Sequence, residues 1–302
     1  KEAGIVMKYE NTTLQSWTRP LSTTEEERVK NTIGMINDAL RKSSALNKYQ
    51  IEIFVQGSYG NNTNVRQNSD VDVCVMLTSF FFCNYVCGKS ATDYGHTTSG
   101  EIRFSDYKTY VINAIKQKFG GESITVKNKS INISSNSYHV NADVVPSFQY
   151  RDYGIIHSTN PNLYIEGIKF YAIDETEIIN YPKAHIQNGK DKNKDSNYFY
   201  KKIVRIMKHI RNDMLHKNLI DGDKITSFLI ECLVWNIPNE IIINSDTWEE
   251  RIKNSIIFLW KNLNDNTCSD WREVSEHIYL FILVYTCFTM RENGQSKMHK
   301  VF

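Results

Sequence analysis

What the sequence lacks narrows the choice first. It has almost no net charge, +2 over 302 residues, so it is not a general polyanion binder. It has no long apolar run. The most apolar stretch, "HIYLFILVYTCFTM" at 277–290, is too short to span a bilayer and reads as part of a buried helix over 270–291. There is no signal-peptide pattern, no internal repeat and no low-complexity tract. The chain opens on Lys1, so the native N-terminus is expected to be missing or processed. Paired CxxC motifs are missing too. Cys74, Cys83, Cys87, Cys232, Cys268 and Cys287 are scattered, which fits free thiols in a reducing cytoplasm. Cys83, Cys87 and His96 lack a fourth ligand at convincing spacing for zinc.

What is present is a globular composition, 41% hydrophobic and 12% aromatic, in a chain long enough for two domains. "STTEEERVKNTIGMINDALRKSS" pairs Ser22 with Glu25 as a capping box, then sets Val29, Ile33, Ile36 and Leu40 at helical spacing. "IEIFVQ" (51–56) and "DVDVCVML" (70–77) alternate as strands. Residues 104–119 return to helical spacing and stop at Gly120-Gly121. Further strands are expected within 123–150, with "GIKFYAI" as the last. Helical periods then dominate over 197–219, 223–236, 246–264 and 270–291. The reading is α+β: an N-terminal core over 1–180, a junction at 181–198 and a helical domain over 199–302.

The chemistry concentrates in "IEIFVQGSYGNNTNVRQNSDVDVCVML", residues 51–77. Strand side chains alternate, so Asp70 and Asp72 point the same way with Cα atoms roughly 6.6 Å apart. Two carboxylates so placed suit Mg²⁺ ions roughly 3.5–4 Å apart, the geometry of in-line phosphoryl transfer, with Mn²⁺ an acceptable substitute. Gly57 lets the backbone approach a polyphosphate, and Ser58 offers it a hydroxyl and an N–H. Asp143 in "YHVNADVVPSFQY" is an isolated carboxylate among valines, a poor strand residue that a ligand role explains. Asp-x-Asp alone is common on solvated strands. Gly-Ser followed by Asp-x-Asp inside an apolar strand is far more specific. From Lys183 to Lys217, ten Lys and Arg face three Asp, a net +7 that suits a triphosphate, although several of these lysines simply line a solvated helix face.

"GSYGNNTNVRQNSDVDV" with Asp143 resembles the nucleotidyltransferase fold of DNA polymerase beta type. The capped helix before it and the helical C-terminal part resemble the CD-NTases, bacterial relatives of cyclic GMP-AMP synthase and oligoadenylate synthetase. The resemblance implies a mixed sheet with a long N-terminal spine helix, and an active site in the cleft beside the helical domain. It also implies two Mg²⁺ ions held by Asp70, Asp72 and Asp143, two NTP substrates, a cyclic product and a product-activated effector in anti-phage defence. It further implies that Lys208 grips the donor triphosphate; Arg205, three residues earlier, can share that helix face, and Gln56, Gly57 and Ser58 are expected to approach nucleotide. Ser227 and Phe228 stand where the family places a phosphate-binding serine and a base-stacking ring, although Phe228 lies in an apolar helix and reads equally as core. "NYPKAHIQNGKDKNKDSN" reads as a lid loop, with His185 and Asn188 able to read a base edge or to serve as ordinary loop residues. Asn188 suits uracil or adenine, and a cyclic dinucleotide from ATP and UTP is the expectation. A monomer is expected, acting without membrane or nucleic acid. RNA tailing would call for a basic stripe outside the cleft, and a non-catalytic sensor would not need three carboxylates.

Overall fold

The computed structural model describes residues 8–20, 23–65 and 70–281. In chain order it runs α1 (Asn11–Ser16), α2 (Thr23–Lys42), β1 (Ile51–Val55), α3 (Gly57–Gly60), β2 (Val71–Asn84), α4 (Phe104–Phe119), β3 (Ile124–Val126), β4 (Ile131–Ile133), β5 (Ala142–Asp152), β6 (Ile165–Tyr171), β7 (Glu177–Asn180), α5 (Pro182–Asp195), α6 (Tyr200–His216), α7 (Ser227–Trp235), α8 (Asn239–Ile243) and α9 (Trp248–Asn264). The α+β reading holds. Ser22 of the expected capping box lies outside the described residues.

One mixed sheet carries the N-terminal part. Its path is β1-β2-β5-β4-β3, with β6 on β5 and β7 on β6. Among the described strands only β2 and β5 pair in parallel. The register aligns Asp72 with Asp143, Val73 with Val144 and Cys74 with Val145. Alternation then sorts the faces. Val71, Val73, Val75, Ala142 and Val144 pack into a core with Ile36 and Leu40 of α2 and with Val111 and Ile115 of α4. Cys74, Met76, Val145, Ile168 and Phe170 fill the opposite face, and Asp72 and Asp143 stand at its end. Lys183 of α5 spans that second face, pairing with Glu52 at 2.8 Å and Glu166 at 2.5 Å.

Three elements depart from the sequence reading. The last strand is β7 and not "GIKFYAI", because Glu177–Asn180 folds back antiparallel on β6. Residues 182–195, expected as a lid loop, form α5, started by Pro182 in its first turn. Residues 270–281 are not the start of a helix. Arg272 bridges Tyr279, and the Leu280 amide donates to the Trp271 carbonyl at 2.8 Å, while 282–291 lie outside the described residues.

A second core belongs to the helical part: Tyr200, Ile203, Val204, Val234, Trp248, Ile252 and Leu259, with Leu14 of α1 among them. The Asn11 carboxamide accepts the Trp248 amide N–H at 2.8 Å. Residues 11–16 therefore depart from the expected 1–180 core and pack on the C-terminal helices. Among the described residues no helix is long and apolar enough to cross a membrane.

Candidate active site

The site starts where β1 ends. The Gln56 amide donates to the Asp72 carbonyl at 2.9 Å, so the strand pair closes beside the turn into α3. Gly57 takes φ +63°, and a Cβ there would overlap Asp72 Oδ2 and stand 3.1 Å from its Cγ. Only glycine lets this backbone lie against that carboxylate. Ser58 follows on the same turn, its carbonyl accepting the Thr63 amide at 2.8 Å.

Asp72 and Asp143 are register partners, and Asp70 shares their face two residues upstream. Burial, then repulsion from Asp143 and Asp70, pushes the Asp72 carboxyl up to about 7. Two further side chains complete the cluster. Asn132, the register partner of Asp143 on β4, donates from Nδ2 to Asp143 Oδ1 at 2.9 Å and Asp70 Oδ2 at 3.3 Å. Lys127, in the β3–β4 turn, donates from Nζ to both Asp143 oxygens at 3.0 and 3.2 Å and to Asp70 Oδ2 at 3.4 Å. Burial works against the Lys127 charge, but the two carboxylates outweigh it and raise its pKa above the ordinary lysine value.

Among the described residues no three His, Cys, Asp or Glu side chains form a ready-made metal cage. The donor set nonetheless fits a hard divalent cation: three carboxylates, one of them raised toward neutral pH by burial and then by its like-charged neighbours, with an ammonium already drawn in between two of them. The cysteines carry no such set. Cys83 lies 3.7 Å from His96 Nδ1, and Cys87 is exposed.

A second cluster lies behind the loop that follows α3. Glu231 of α7, 3% exposed, receives Asn61 Nδ2, Thr63 Oγ1 at 2.7 Å, Lys208 Nζ at 2.6 Å and His185 Nε2 at 3.0 Å. Burial opposes the carboxylate's charge. The Lys208 charge and the His185 hydrogen bond outweigh it and hold the carboxyl far below the ordinary glutamate range. Lys208 also donates to Thr63 Oγ1 at 3.1 Å. Arg205 donates to the Asn62 carbonyl at 2.6 Å and the Thr18 carbonyl at 2.8 Å. Arg205 and Lys208 are 5% and 2% exposed, so the pair expected on an open cleft wall is instead packed beneath the 61–63 loop.

The remaining expected residues separate. Ser227 opens α7, capped by Thr226. Phe228 is 47% exposed, which removes the core alternative, and its open ring stacks on His185 with centroids 5.9 Å apart. His185 is committed to Glu231 and is not a free base reader. Asn188 lies on α5, and its amide nitrogen donates to the Val274 carbonyl at 2.9 Å. Lys127, Asn132 and Glu231 escaped the sequence reading. Glu231 carried a usable signal, a lone carboxylate in the apolar run "SFLIECLVW", the same argument that singled out Asp143. Lys127 and Asn132 carried none beyond ordinary strand and turn composition.

This architecture has known counterparts. Residues 36–126 match a nucleotidyltransferase domain, and residues 187–294 match the cGAS/DncV-like nucleotidyltransferase C-terminal helical domain. The cyclic dipyrimidine nucleotide synthase CdnE of Cecembia lonarensis is 42% identical over 275 residues, 91% of each chain. The Elizabethkingia meningoseptica CdnE cyclic dinucleotide synthase, solved with GTP and Apcpp, superposes with TM-score 0.75 at 33% identity over 91% of this chain and 92% of that one. The Rhodothermus marinus CdnE c-UMP-AMP synthase, solved with Apcpp and Upnpp, gives TM-score 0.79 at 29% identity over 90% and 88%. With both its catalytic and its helical parts matched, the chain belongs to the CD-NTases, the cyclic nucleotide synthases of the nucleotidyltransferase superfamily.

Proposed function

We propose that this enzyme joins UTP with ATP or a second UTP into a cyclic dinucleotide, using Mg²⁺ held by Asp70, Asp72 and Asp143. The observation that carries the reading is the register pairing of Asp72 with Asp143 beside Gly57. Three carboxylates on one sheet face beside a glycine turn support a site for metal-bound phosphates. Held there, the ions would supply charge neutralisation at the transferring phosphate and a lowered pKa at the attacking hydroxyl. The protein supplies position. Gln56, Gly57 and Ser58 bring backbone and hydroxyl to the phosphates. Arg205 and Lys208 act on them through the 61–63 loop that they clamp. Ser227 adds a hydroxyl at the start of α7, and the exposed Phe228 ring takes a base by stacking.

Stacking does not select a base. The Asn188 carboxamide, anchored by Val274, can both donate and accept at a uracil edge. Uracil nucleotides also fit the dipyrimidine product of the 42% identical relative and the UMP of the R. marinus product. The product would act as a second messenger on a separate effector in anti-phage defence, made by a cytoplasmic monomer. The test incubates the protein with Mg²⁺ and every pair of labelled NTPs, then phosphatase. A resistant product is expected with UTP-containing pairs and none from Asp70→Asn/Asp72→Asn, whose melting temperature should match or exceed wild type. A product from the double variant would sink the metal assignment. A product without UTP would sink the base assignment alone.

A further inference from the structure

The Lys127 ammonium is the unexplained member of the catalytic cluster. Its backbone is fixed: the Lys127 amide donates to the Ser130 carbonyl at 2.9 Å, closing the β3–β4 turn. The next residue, Asn128, is tied to the Ile173 amide through Oδ1 at 2.9 Å and through its carbonyl at 3.2 Å. Its side chain is not fixed in the same way. It is 43% exposed, and its partners are the Asp70 and Asp143 carboxylates. Asn132 holds the same two carboxylates, but from a strand position set by register, and it carries no charge. Lys127 is thus a single positive charge on a partly exposed side chain, lying between two of three carboxylates that repel each other.

We infer that Lys127 is a built-in counter-cation that holds Asp70 and Asp143 together before loading and couples divalent metal binding to nucleotide binding. The inference rests on the reading of these carboxylates as the metal site. A divalent ion held by Asp70 and Asp143 would compete with Nζ for the same oxygens and would repel it by charge. Lys127 would turn outward toward solvent as such an ion bound. With free Mg²⁺ alone the ammonium gives up two charged partners for water. With a triphosphate present it exchanges them for phosphate oxygens. Metal binding without nucleotide is opposed by Lys127, and metal binding with nucleotide is not. By linkage, the metal tightens nucleotide to the same degree.

The test measures Mn²⁺ binding by electron paramagnetic resonance, with metal alone and with a non-hydrolysable UTP analogue. Wild type is expected to bind Mn²⁺ weakly alone and more tightly with the analogue. Lys127→Met should bind Mn²⁺ alone about fivefold tighter than wild type, the size of a partly exposed ion pair. Its gain from the analogue should shrink, while Lys127→Arg should behave as wild type. Equal or weaker Mn²⁺ affinity in Lys127→Met overturns the proposal. Asp143→Asn separates the two readings. If it weakens Mn²⁺ binding while Lys127→Met changes nothing, only the counter-cation role fails. If it does not weaken Mn²⁺ binding, the carboxylates are not the metal site and both readings fail.

Discussion

Gly57 is set by the carboxylate across from it. Its φ of +63° costs a non-glycine residue about 1–2 kcal/mol, but the larger effect is steric. A methyl group there overlaps Asp72 Oδ2, so either the turn or the carboxylate must shift by about 1 Å to reach ordinary contact. Gly57→Ala should therefore lower turnover roughly 100-fold, the usual consequence of such a misplacement, with only a small fall in melting temperature. Near-wild-type kcat in a steady-state assay would show that Asp72 does not need this placement. Residue type and alternation made much of this scale legible. Asp70, Asp72 and Asp143 were readable because a carboxylate in an apolar strand demands a reason. That Asp72 lies opposite Asp143, and that Gly57 touches Asp72, was not readable. Both depend on strand register, which no local pattern encodes.

At the scale of elements, α5 shows how a helix can look like a loop. "PKAHIQNGKDKNKD" has hardly any apolar stripe, and that normally argues for solvated irregular chain. The helix forms because its Lys, Gln and Ala residues favour it and Pro182 starts it. It docks by closeness instead of by apolar area. Gly189 is buried against Asn61, where a Cβ would stand 2.8 Å from Nδ2 and 2.9 Å from Cγ. Two effects then compete in Gly189→Ala. Helix propensity favours alanine by about 1 kcal/mol. Overpacking against a buried amide that Glu231 already holds costs about 1–3 kcal/mol. The clash should win, with a net loss of up to about 2 kcal/mol and a melting temperature lower by up to roughly 4 °C. A rise in melting temperature would mean that the Asn61 loop yields freely. The other helices were legible where amphipathic spacing was strong. The 270–281 segment was not, since its apolar residues follow a bridge between Arg272 and Tyr279 in place of a helical period.

Across the whole molecule, one carboxylate ties the two parts together. Glu231 gathers the 61–63 loop of the sheet domain, His185 of α5 and Lys208 of α6 onto α7. The sequence showed a basic stretch and suggested a phosphate-binding wall. It could not show that Lys208 is neutralised by a glutamate 23 residues on, because a lone carboxylate in an apolar helix marks a buried charge without naming its partner. Such a pair stabilises chiefly in the sense that breaking it is costly. Removing one buried partner costs about 3–5 kcal/mol. The pH dependence follows from the direction of the Glu231 shift. Its folded pKa lies far below the ordinary value of 4.5, so folding favours the ionised form. The resulting stability is fully present above pH 4.5 and is lost as pH falls from there toward the folded value. Glu231→Gln keeps the side-chain shape but removes the charge and replaces one accepting oxygen with an NH2 that faces two donors, leaving Lys208 buried and unpaired. At pH 7 it should melt well below wild type, with KM raised for every NTP because the 61–63 loop loses its anchor. Below pH 4.5 the gap should narrow, since wild type loses its advantage and the variant has none to lose. Thermal melts of both proteins from pH 7 to pH 3 decide it: a gap that stays constant across that range would mean that Glu231 is not ionised in the fold.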